Sequence, residues 1–597
     1  MAGKIYGILG PVIYMKDLQN RLKDKNITYY IIPTDDDHLS EEVGDWYRLR
    51  EFFSGFTGSA GTLLAGQDEA YLWTDGRYFI QAARQLKDGI TLMKMNMPGV
   101  PDIMTFLTGH LKDGDTLAFD YTTMRASFVM DLEDELDADV TFRNLTVGDL
   151  WTNRPAKRHD PAWLYDIAYH GESTKSKLQR VRQYMEDNDC DHHVIGALDD
   201  IAWIFNLRGN DIDYSPVVCA FAIINKDDAC LYIDPASVSD EIRDHFTSLG
   251  VSVKDEELIY EDVRALRGSV LIDPDNVNYA LLEAVSGDLA FGVNPSQAFK
   301  AVKNDVEMTN ARLAHVKDGV AVTKFMHWLK HTDVEGETEI TVADKLEDFR
   351  KEQEHYLEPS FSTICAYGDN GAIIHYHAEP DACADLHEGH LLMIDSGGQY
   401  YEGTTDITRT FALGDVTADE KRAFTLVLKG FLNLMDARFT KGCTGVNLDT
   451  MAREALWREG FDFRHGTGHG VGHLLNCHEG PQNISTAPRG SNAPLEPGMI
   501  TSDEPGLYVE NHYGVRHENL LLCVPFADND FGTFYAFEPL TMVPIDIDGI
   551  DMTLMSAEDL TRLNAYHKTV CDTLLPYMNE EEAAWLKHIT RPLGENA

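Results

Sequence analysis

Five side chains in the C-terminal part of the sequence are of the types that bind hard metal ions. They are Asp395 in IDSGGQY, Asp406 in GTTDITRT, His469 in HGTGHGVG, Glu504 in TSDEPGLY and Glu518 in GVRHENLL. Structural zinc takes mostly thiolate and imidazole ligands, whereas Mg²⁺ and Mn²⁺ take carboxylate oxygens. Four acids and one histidine therefore favour two hard divalent cations over a single zinc ion, and a two-metal site predicts a hydrolase.

The four acids lie on two segments that each predict a pair of strands. LLMIDSGGQYYEGTTDITRTF is typical of two strands joined by a glycine-containing bend, which brings Asp395 and Asp406 together across the pair. PGMITSDEPGLYVENHYGVRHENLLL predicts two strands around a turn, with Glu504 in one strand and Glu518 in the other. A single acid in a strand is usually a cap or faces solvent. Because a buried strand acid is costly without a partner or a cation, the mirrored pairs favour a metal cluster.

The histidine of the set comes from a glycine-rich segment, HGTGHGVGHLLNCHEGP. A zinc-protease helix needs Glu directly after its first His, but Gly466 stands there, and the glycines disfavour a helix. The segment also lacks the strand–turn–helix context of a dinucleotide-binding motif. We predict a strand, in which the even spacing of His465, His469 and His473 places them on one face.

The composition limits the possible partners. The chain has 51 Lys and Arg against 98 Asp and Glu, a net charge of −47, which argues against nucleic acid and anionic membranes. The acids suit a cationic ligand such as the free amino terminus of a peptide, although a solvated acidic surface is the commoner explanation. Nine cysteines without C-x-x-C pairs do not predict a disulfide framework. Without an apolar run of about 18 residues or a recognisable signal peptide, we expect a soluble cytoplasmic protein with no membrane partner.

The first half of this 597-residue chain looks duplicated. Residues 15–75 and 177–234 each predict a helix, a strand, an acidic loop and two strands joined by a turn, so two related α/β domains are expected. Residues 151–163, WTNRPAKRHDPAW, are rich in proline and charge and suit a linker. The predicted domains are residues 1–155, 156–297 and 298–597. The last domain opens with one long helix or two in tandem and continues as short β-like runs.

The same motifs resemble a known enzyme family. IDSGGQYYEGTTDITRTF, HGTGHGVGHLLNCHEGP, TSDEPGLY, VRHENLLL and FEPLTMVPID are similar to segments of the pita-bread metallopeptidases, specifically the Xaa-Pro aminopeptidases (aminopeptidase P) in their long three-domain form. FFSGFTGSAGT, YLWTDGRYFIQAA, FKAVKN and GDNGAIIHYH extend the resemblance over nearly the whole chain. It implies an α/β fold with two related N-terminal domains before a pita-bread catalytic domain. It also implies two divalent metal ions, usually Mn²⁺ with Co²⁺ or Zn²⁺ also fitting, and commonly a homodimer.

The resemblance further assigns roles to individual residues. The implied metal ligands are Asp395, Asp406, His469, Glu504 and Glu518, with Asp406 and Glu518 bridging both ions. The implied catalytic residues are His375 in AIIHYH, His465, His478 and Glu504. The implied substrate-binding residues are His375, His465, His478, Phe361 in PSFSTI, and Arg516. Asp36, His38 and Trp73 are candidates for substrate screening or for a partner's site, with capping and packing equally open.

The expected reaction is release of the first residue from peptides with proline in the second position. A metal-bridging hydroxide attacks the carbonyl, and Glu504 passes its proton to the leaving nitrogen. The alternatives are a prolidase that cleaves Xaa-Pro dipeptides, a creatinase-like enzyme, and a non-catalytic peptide-binding pita-bread module. The intact ligand set argues against the last two. His517 stands where an apolar residue is more usual, and we predict that it points away from the metals.

Overall fold

The computed structural model describes residues 12–488 and 492–594, and the chain forms two compact units. The first unit runs up to Leu164 and adds Thr174–Asp213 and Val217–Ser296. The second unit comprises Tyr165–Ser173, Tyr214–Pro216 and the chain from Gln297 onward.

A six-stranded mixed sheet forms the first half of the first unit. Its strands are β1 (Tyr29–Ile32), β2 (Thr62–Gly66), β3 (Ala70–Thr74), β4 (Ile90–Lys94), β5 (Thr116–Phe119) and β6 (Thr141–Asn144). Its helices are α1 (Val12–Asp24), α2 (Leu49–Ser54), α3 (Phe79–Gln85), α4 (Ile103–His110) and α5 (Ala126–Glu135). The order is β4-β3-β2-β1-β5-β6, with β1 antiparallel to β2 and parallel to β5. Every residue of β1 and β5 is buried, which explains why these strands lack polar alternation.

A second six-stranded sheet repeats this arrangement. The elements in this part of the chain are β7 (Trp163–Leu164), α6 (Ile167–His170), α7 (Thr174–Asp187), β8 (His192–Ile195), α8 (Leu198–Phe205), β9 (Leu207–Arg208), β10 (Ala220–Asn225), β11 (Ala229–Ile233), α9 (Asp240–Ser248), β12 (Val251–Lys254), α10 (Ile259–Ala265), β13 (Ser269–Ile272), α11 (Tyr279–Ala284) and β14 (Asp288–Phe291). The order is β12-β11-β10-β8-β13-β14, with β8 antiparallel to β10 and parallel to β13. The two sheets have the same topology, so the predicted duplication is confirmed.

The remaining elements build the unit that carries the candidate ligands. Its helices are α12 (Pro295–Ala301), α13 (Asp305–His331), α14 (Glu339–Lys351), α15 (Ala418–Met435), α16 (Gly445–Trp457), α17 (Ala557–Leu574) and α18 (Glu580–Ile589). Its strands are β15 (Tyr356–Pro359), β16 (Ile364–Tyr367), β17 (His390–Ser396), β18 (Gly398–Tyr400), β19 (Gly403–Thr404), β20 (Ile407–Leu413), β21 (Arg438–Thr440), β22 (Gly468–Gly470), β23 (Glu479–Ile484), β24 (Ile500–Asp503), β25 (Gly506–Val509), β26 (Tyr513–Arg516), β27 (Asn519–Asn529) and β28 (Gly532–Pro539). The tandem pair α12 and α13 matches the predicted helical opening.

Two sheets of this unit position the ligands. One has the order β16-β17-β20, and the other has the order β21-β28-β27-β24-β22-β23. Buried apolar residues of α13, α15 and α16 pack with those of β17, β20 and β27 in one core, which includes Phe325, Phe431, Leu392 and Leu521. A continuous apolar core therefore holds these strands in place. Polar residues at the strand ends are positioned by the packed strands and not by flexible loops.

Candidate metal centre

The aspartate pair lies where one antiparallel strand pair approaches its bend. Asp395 is in β17, opposite Thr408 of β20, and Asp406 directly precedes β20. The sequence between them forms β18 and β19, which pair with each other, and β18 also pairs with β15. The predicted hairpin is thus present, with a second short strand pair inside its bend.

The glutamate pair is arranged in the same way on the larger sheet. Glu504 directly follows β24 and Glu518 directly precedes β27, and these strands pair with Asp503 opposite Asn519. The chain between the two acids forms the β25–β26 hairpin. The mirrored arrangement agrees with the sequence prediction, but both acids lie one residue outside the strands instead of within them.

The glycine-rich segment corrects one prediction. Its strand, β22, contains only Gly468–Gly470, so His465 precedes it and His473 follows it. The three histidines therefore do not share one strand face, and that prediction was wrong. A Cβ atom on Gly468 would lie 2.0 Å from the Ser502 carbonyl oxygen, and one on Gly470 would lie 2.1 Å from the Glu479 carbonyl oxygen. The glycines allow neighbouring strands to approach closely on both sides of His469.

His469 lies among the acids. Its Nε2 is 3.3 Å from Asp406 Oδ2 and 3.6 Å from Glu504 Oε1. Ligand atoms of Asp406, His469 and Glu518 all lie within 4.8 Å of one another, a spacing that can hold a metal ion. Thr408 Oγ1 donates to Glu518 Oε2 at 2.8 Å, and Ser502 Oγ donates to Glu504 Oε1 at 3.3 Å. These hydroxyls orient the carboxylates.

A chain of hydrogen bonds joins Asp395, the remaining acid, to a second histidine, His465. Arg516 donates from Nη2 to Asp395 Oδ2 at 2.5 Å and from Nη1 to the Tyr508 hydroxyl at 2.7 Å. The same hydroxyl lies 2.8 Å from His465 Nε2, and His465 Nδ1 lies 2.7 Å from the Gly466 carbonyl oxygen. Arg516 is thus placed beside a candidate ligand, and both ring nitrogens of His465 have protein partners.

Burial raises the pKa values of most of the clustered acids, and their mutual repulsion adds to the effect. Burial raises the pKa of Glu518 well above its ordinary value, and the charges of Asp406 and Asp395 add to this. Burial likewise raises the pKa of Glu504, and burial raises the pKa of Asp395 despite the opposing charge of Arg516. Burial also acts on Asp406, but the hydrogen bond and charge of His469 outweigh it and lower the pKa of this carboxyl.

Two carboxylate oxygens of the cluster have no hydrogen-bond partner within the described residues. They are Oδ1 of Asp395 and Oδ1 of Asp406, both buried. A buried carboxylate oxygen without a donor is unfavourable unless a cation takes its place. The donor set is four carboxylates and one imidazole, which hard divalent ions accept. The residues therefore fit a divalent metal centre.

The other predicted site residues, His478, His375 and Phe361, differ in their contacts with the cluster. The ring of His478 lies edge-on to that of His469 with centroids 4.2 Å apart, and His478 is exposed. His375 lies in a turn whose preceding carbonyl, that of Ile374, accepts from Arg516 Nη2 at 3.4 Å. Phe361 is half-buried and follows Ser360, which donates to the Thr405 carbonyl oxygen at 2.8 Å. No described contact joins Phe361 itself to the cluster.

Five further residues singled out from the sequence make contacts that stabilise the fold: His517, His473, Asp36, His38 and Trp73. His517 is buried with its ring 4.3 Å from that of Phe424, in agreement with its predicted orientation. His473 Nε2 lies 2.9 Å from the Tyr169 carbonyl oxygen. In the first unit, Asp36 accepts from the backbone of His38 and Ser40, His38 bonds the Gly196 carbonyl, and Trp73 donates to the Pro101 carbonyl.

Tyr508, Thr408 and Ser502 are site residues that were not predicted from the sequence. Each contacts a candidate site residue through its hydroxyl. Tyr508 and Thr408 contact residues on other strands or in distant segments, whereas Ser502 contacts Glu504 two residues along the chain. Residue type alone gives no indication of these roles. The only local signal is a buried hydroxyl within two residues of a candidate acid, which Thr408 and Ser502 satisfy and Tyr508 does not.

Comparison with known proteins agrees with this architecture. Metallopeptidase family M24 matches residues 309–525, and the C-terminal region of peptidase M24 matches 533–593. Creatinase/prolidase N-terminal domains match residues 15–147 and 153–307. The fold and the acid–histidine cluster thus define a metallopeptidase, with two related α/β domains ahead of a pita-bread domain.

Relatives that align with nearly the whole chain identify the family within the metallopeptidases. Aminopeptidase P1 of Arabidopsis thaliana is 36% identical, covering 95% of this chain and 97% of the relative. A probable Xaa-Pro aminopeptidase P of Laccaria bicolor is 37% identical, covering 96% and 92%. The X-prolyl aminopeptidase of Caenorhabditis elegans, described as a cytosolic enzyme with a di-nuclear active site, has a TM-score of 0.92 at 31% identity, covering 98% of this chain and 100% of that one. This chain belongs to the Xaa-Pro aminopeptidase P family of M24 metallopeptidases. None of the helices in its described part has the length and hydropathy needed to span a bilayer.

Proposed function

We propose that this protein is a metal-dependent aminopeptidase that releases the first residue of peptides whose second residue is proline. The observation that carries the proposal is the convergence of Asp406, His469 and Glu518 beside Asp395 and Glu504. Two buried carboxylate oxygens of this cluster have no hydrogen-bond partner among the described residues. These five residues would hold two divalent cations. We propose Mn²⁺, while Co²⁺ and Zn²⁺ suit the same ligands.

Bound cations of this kind lower the pKa of water and so supply a nucleophile at neutral pH. Glu504 is the group that accepts and returns the proton. Its carboxylate can take a proton from the attacking water and give it to the leaving prolyl nitrogen. Ser502 donates to Oε1 of Glu504, which holds the carboxylate in place for both transfers.

The histidines stabilise charge that develops on the substrate carbonyl oxygen. His478 is exposed and lies against His469, so its ring can reach a bound peptide. His375 lies beside the carbonyl group that contacts Arg516. A donor of this type contributes about 3 kcal/mol to transition-state stabilisation. His465, bonded to Tyr508, acts by fixing the Tyr508–Arg516 pair against Asp395.

Selectivity follows from the chemistry of the bond. The nitrogen of an Xaa-Pro bond carries no N–H, so a pocket that offers it no hydrogen-bond acceptor loses nothing when proline binds. The acidic cluster attracts the free α-amine of the first residue. We propose that Phe361 and Arg516 contact the first residue, and that anchoring of its α-amine restricts cleavage to a single N-terminal residue.

The test is a comparison of three substrates with Mn²⁺-loaded protein: Arg-Pro-Pro, the dipeptide Ala-Pro, and creatine. Release of free Arg from the tripeptide supports the proposal. Turnover of the dipeptide alone would instead indicate a prolidase, and the absence of Mn²⁺-dependent peptide hydrolysis would refute the enzyme assignment. Glu504→Ala should abolish activity with little loss of fold. Glu510→Ala, a change at an exposed turn residue of the same hairpin, is the matched control.

We also propose a cytoplasmic homodimer with domains at residues 1–155, 156–297 and 298–597. The cytosolic description of the Caenorhabditis elegans relative supports the location. Cell fractionation and sedimentation velocity test the location and the oligomeric state, and limited proteolysis tests the domain bounds. A monomer at micromolar concentration would contradict the dimer without affecting the proposed reaction.

A further inference from the structure

One buried carboxylate outside the metal cluster organises the segment that carries His375. Glu339, the first residue of α14, has no exposed surface. Its Oε1 accepts from the Tyr367 backbone N–H at 2.7 Å and from Asn370 Nδ2 at 3.0 Å. Its Oε2 accepts from the Tyr376 hydroxyl at 2.7 Å and from the Ala384 backbone N–H at 2.8 Å. All four donors belong to residues 367–384, so a single side chain ties together both ends and the middle of this segment.

The opposite side of the same segment contacts the metal cluster. The Ile374 carbonyl oxygen accepts from Arg516 Nη2, the nitrogen that also donates to Asp395. Gly371 packs against the backbone of β26, where a Cβ atom would lie 2.8 Å from the Gly514 nitrogen. His375 therefore lies between Ile374, fixed by Arg516, and Tyr376, fixed by Glu339.

We infer that Glu339 is a positioning residue for the reaction, acting through the Tyr376 hydroxyl to hold His375 against the substrate carbonyl. This inference rests on the proposed aminopeptidase function. The backbone on both sides of a residue sets the position of its side chain, and a displacement of about 1 Å in a catalytic group can cost about 100-fold in rate. Glu339 fixes the flank that the metal cluster does not reach.

The experiment is a double-mutant cycle on the full-length Mn²⁺-loaded enzyme with Arg-Pro-Pro as substrate. Tyr376→Phe removes only the hydroxyl that joins Glu339 to the His375 flank. We expect it to lower kcat by about tenfold with little change in KM, and we expect no further loss when it is added to His375→Ala. Metal content should stay at the wild-type value. Additive losses in the double variant would overturn the inference, because they would mean that Tyr376 acts independently of His375.

Glu339→Gln with Glu420→Gln as control separates positioning from general destabilisation. Glu420 is also buried. It accepts from Thr417 and from the Leu391 N–H, and it lies beside His390, at the end of β17 away from Asp395. We expect both variants to lose stability but only Glu339→Gln to lose kcat. An equal loss of kcat in both would refute the assignment.

Amide hydrogen exchange distinguishes failure of this inference from failure of the proposed function. Exchange in residues 367–384 should rise in Tyr376→Phe and Glu339→Gln while exchange in β20 stays at the wild-type rate. This readout needs no turnover. Unchanged exchange in both variants would overturn the inference even if the wild-type enzyme is active. If the wild-type protein is inactive but exchange rises in both variants, only the proposed function is refuted.

Discussion

Arg516 and Asp395 form a buried ion pair at the edge of the metal cluster, with Nη2 of the arginine 2.5 Å from Oδ2 of the aspartate. Both residues are more than nine-tenths buried. The guanidinium compensates one oxygen of Asp395 and leaves the other, Oδ1, available to a cation. The arginine and a metal ion can therefore neutralise the same carboxylate from different sides.

This relationship predicts that Arg516→Met destabilises the metal-free protein more than the metal-loaded protein. Removing one partner of a buried ion pair leaves an uncompensated charge and costs about 3–5 kcal/mol. A bound cation replaces part of the lost positive charge, so Mn²⁺ should recover part of that cost. Urea unfolding with EDTA and with Mn²⁺ measures the difference. Arg350→Met breaks the buried Arg350–Asp318 pair and is the control, because its cost should be the same in both conditions.

Metal binding should release protons and strengthen as the pH rises. The pKa values of Asp395, Glu504 and Glu518 are raised, chiefly by burial, so these groups hold protons that a cation must displace. A carboxyl with a raised folded-state pKa binds protons more tightly in the folded than in the unfolded chain. It therefore stabilises the metal-free fold at low pH, and that stability is lost as the pH rises above about 4.

The gap in Tm between the Mn²⁺-loaded and metal-free protein should consequently widen from pH 5 to pH 8. Calorimetric titration with Mn²⁺ in two buffers of different ionisation enthalpy counts the protons released. Proton uptake on binding, or a gap that narrows with pH, would contradict the assignment of these acids as ligands.

The strand pairs could be predicted because their signals are local. The apolar run LLMI before Asp395 and the glycine bend after it specify a hairpin within one short segment. The turn residues between Glu504 and Glu518 act in the same way. In each case the acids converge because neighbouring strands pair, which requires no knowledge of distant parts of the chain.

The arrangement around His469 could not be predicted from sequence spacing. Its strand is only three residues long, and Gly468 and Gly470 pack against the carbonyl groups of Ser502 and Glu479 on neighbouring strands. Those contacts depend on the assembled sheet. Tyr508 was missed for the same reason, because its hydroxyl meets Arg516 across a hairpin and His465 from a distant segment. The residue type of Tyr508 predicts only an aromatic side chain in a strand.

A second buried ion pair predicts the effect of mutation next to His478. Lys303 Nζ lies 2.5 Å from Glu479 Oε1, and both side chains are almost fully buried. Lys303→Met should cost about 3–5 kcal/mol because it removes one charge of a buried ion pair and leaves the Glu479 charge buried. Adding Glu479→Gln should restore most of the lost stability, since the buried charge is then gone. Urea unfolding of the two single variants and the double variant measures the coupling, and additive losses would show that the pair does not interact.

Buried histidines should make the fold sensitive to mild acid. Burial lowers the pKa of His517 to about 3, and the charge of Arg409 adds to this. The unfolded chain takes up a proton near pH 6.5 while the folded protein does not, so stability falls as the pH drops from about 6.5 towards 3, by up to about 1.4 kcal/mol per pH unit. His517→Leu removes this contribution. Between pH 7 and pH 5 in EDTA, the variant should lose about 2 kcal/mol less stability than the wild type, as measured by urea unfolding.

His567 provides an independent test, because burial also lowers its pKa to about 3. His567→Gln should therefore also reduce the loss of stability in acid. Parallel pH profiles for wild type and both variants would show that these two rings do not account for the acid sensitivity.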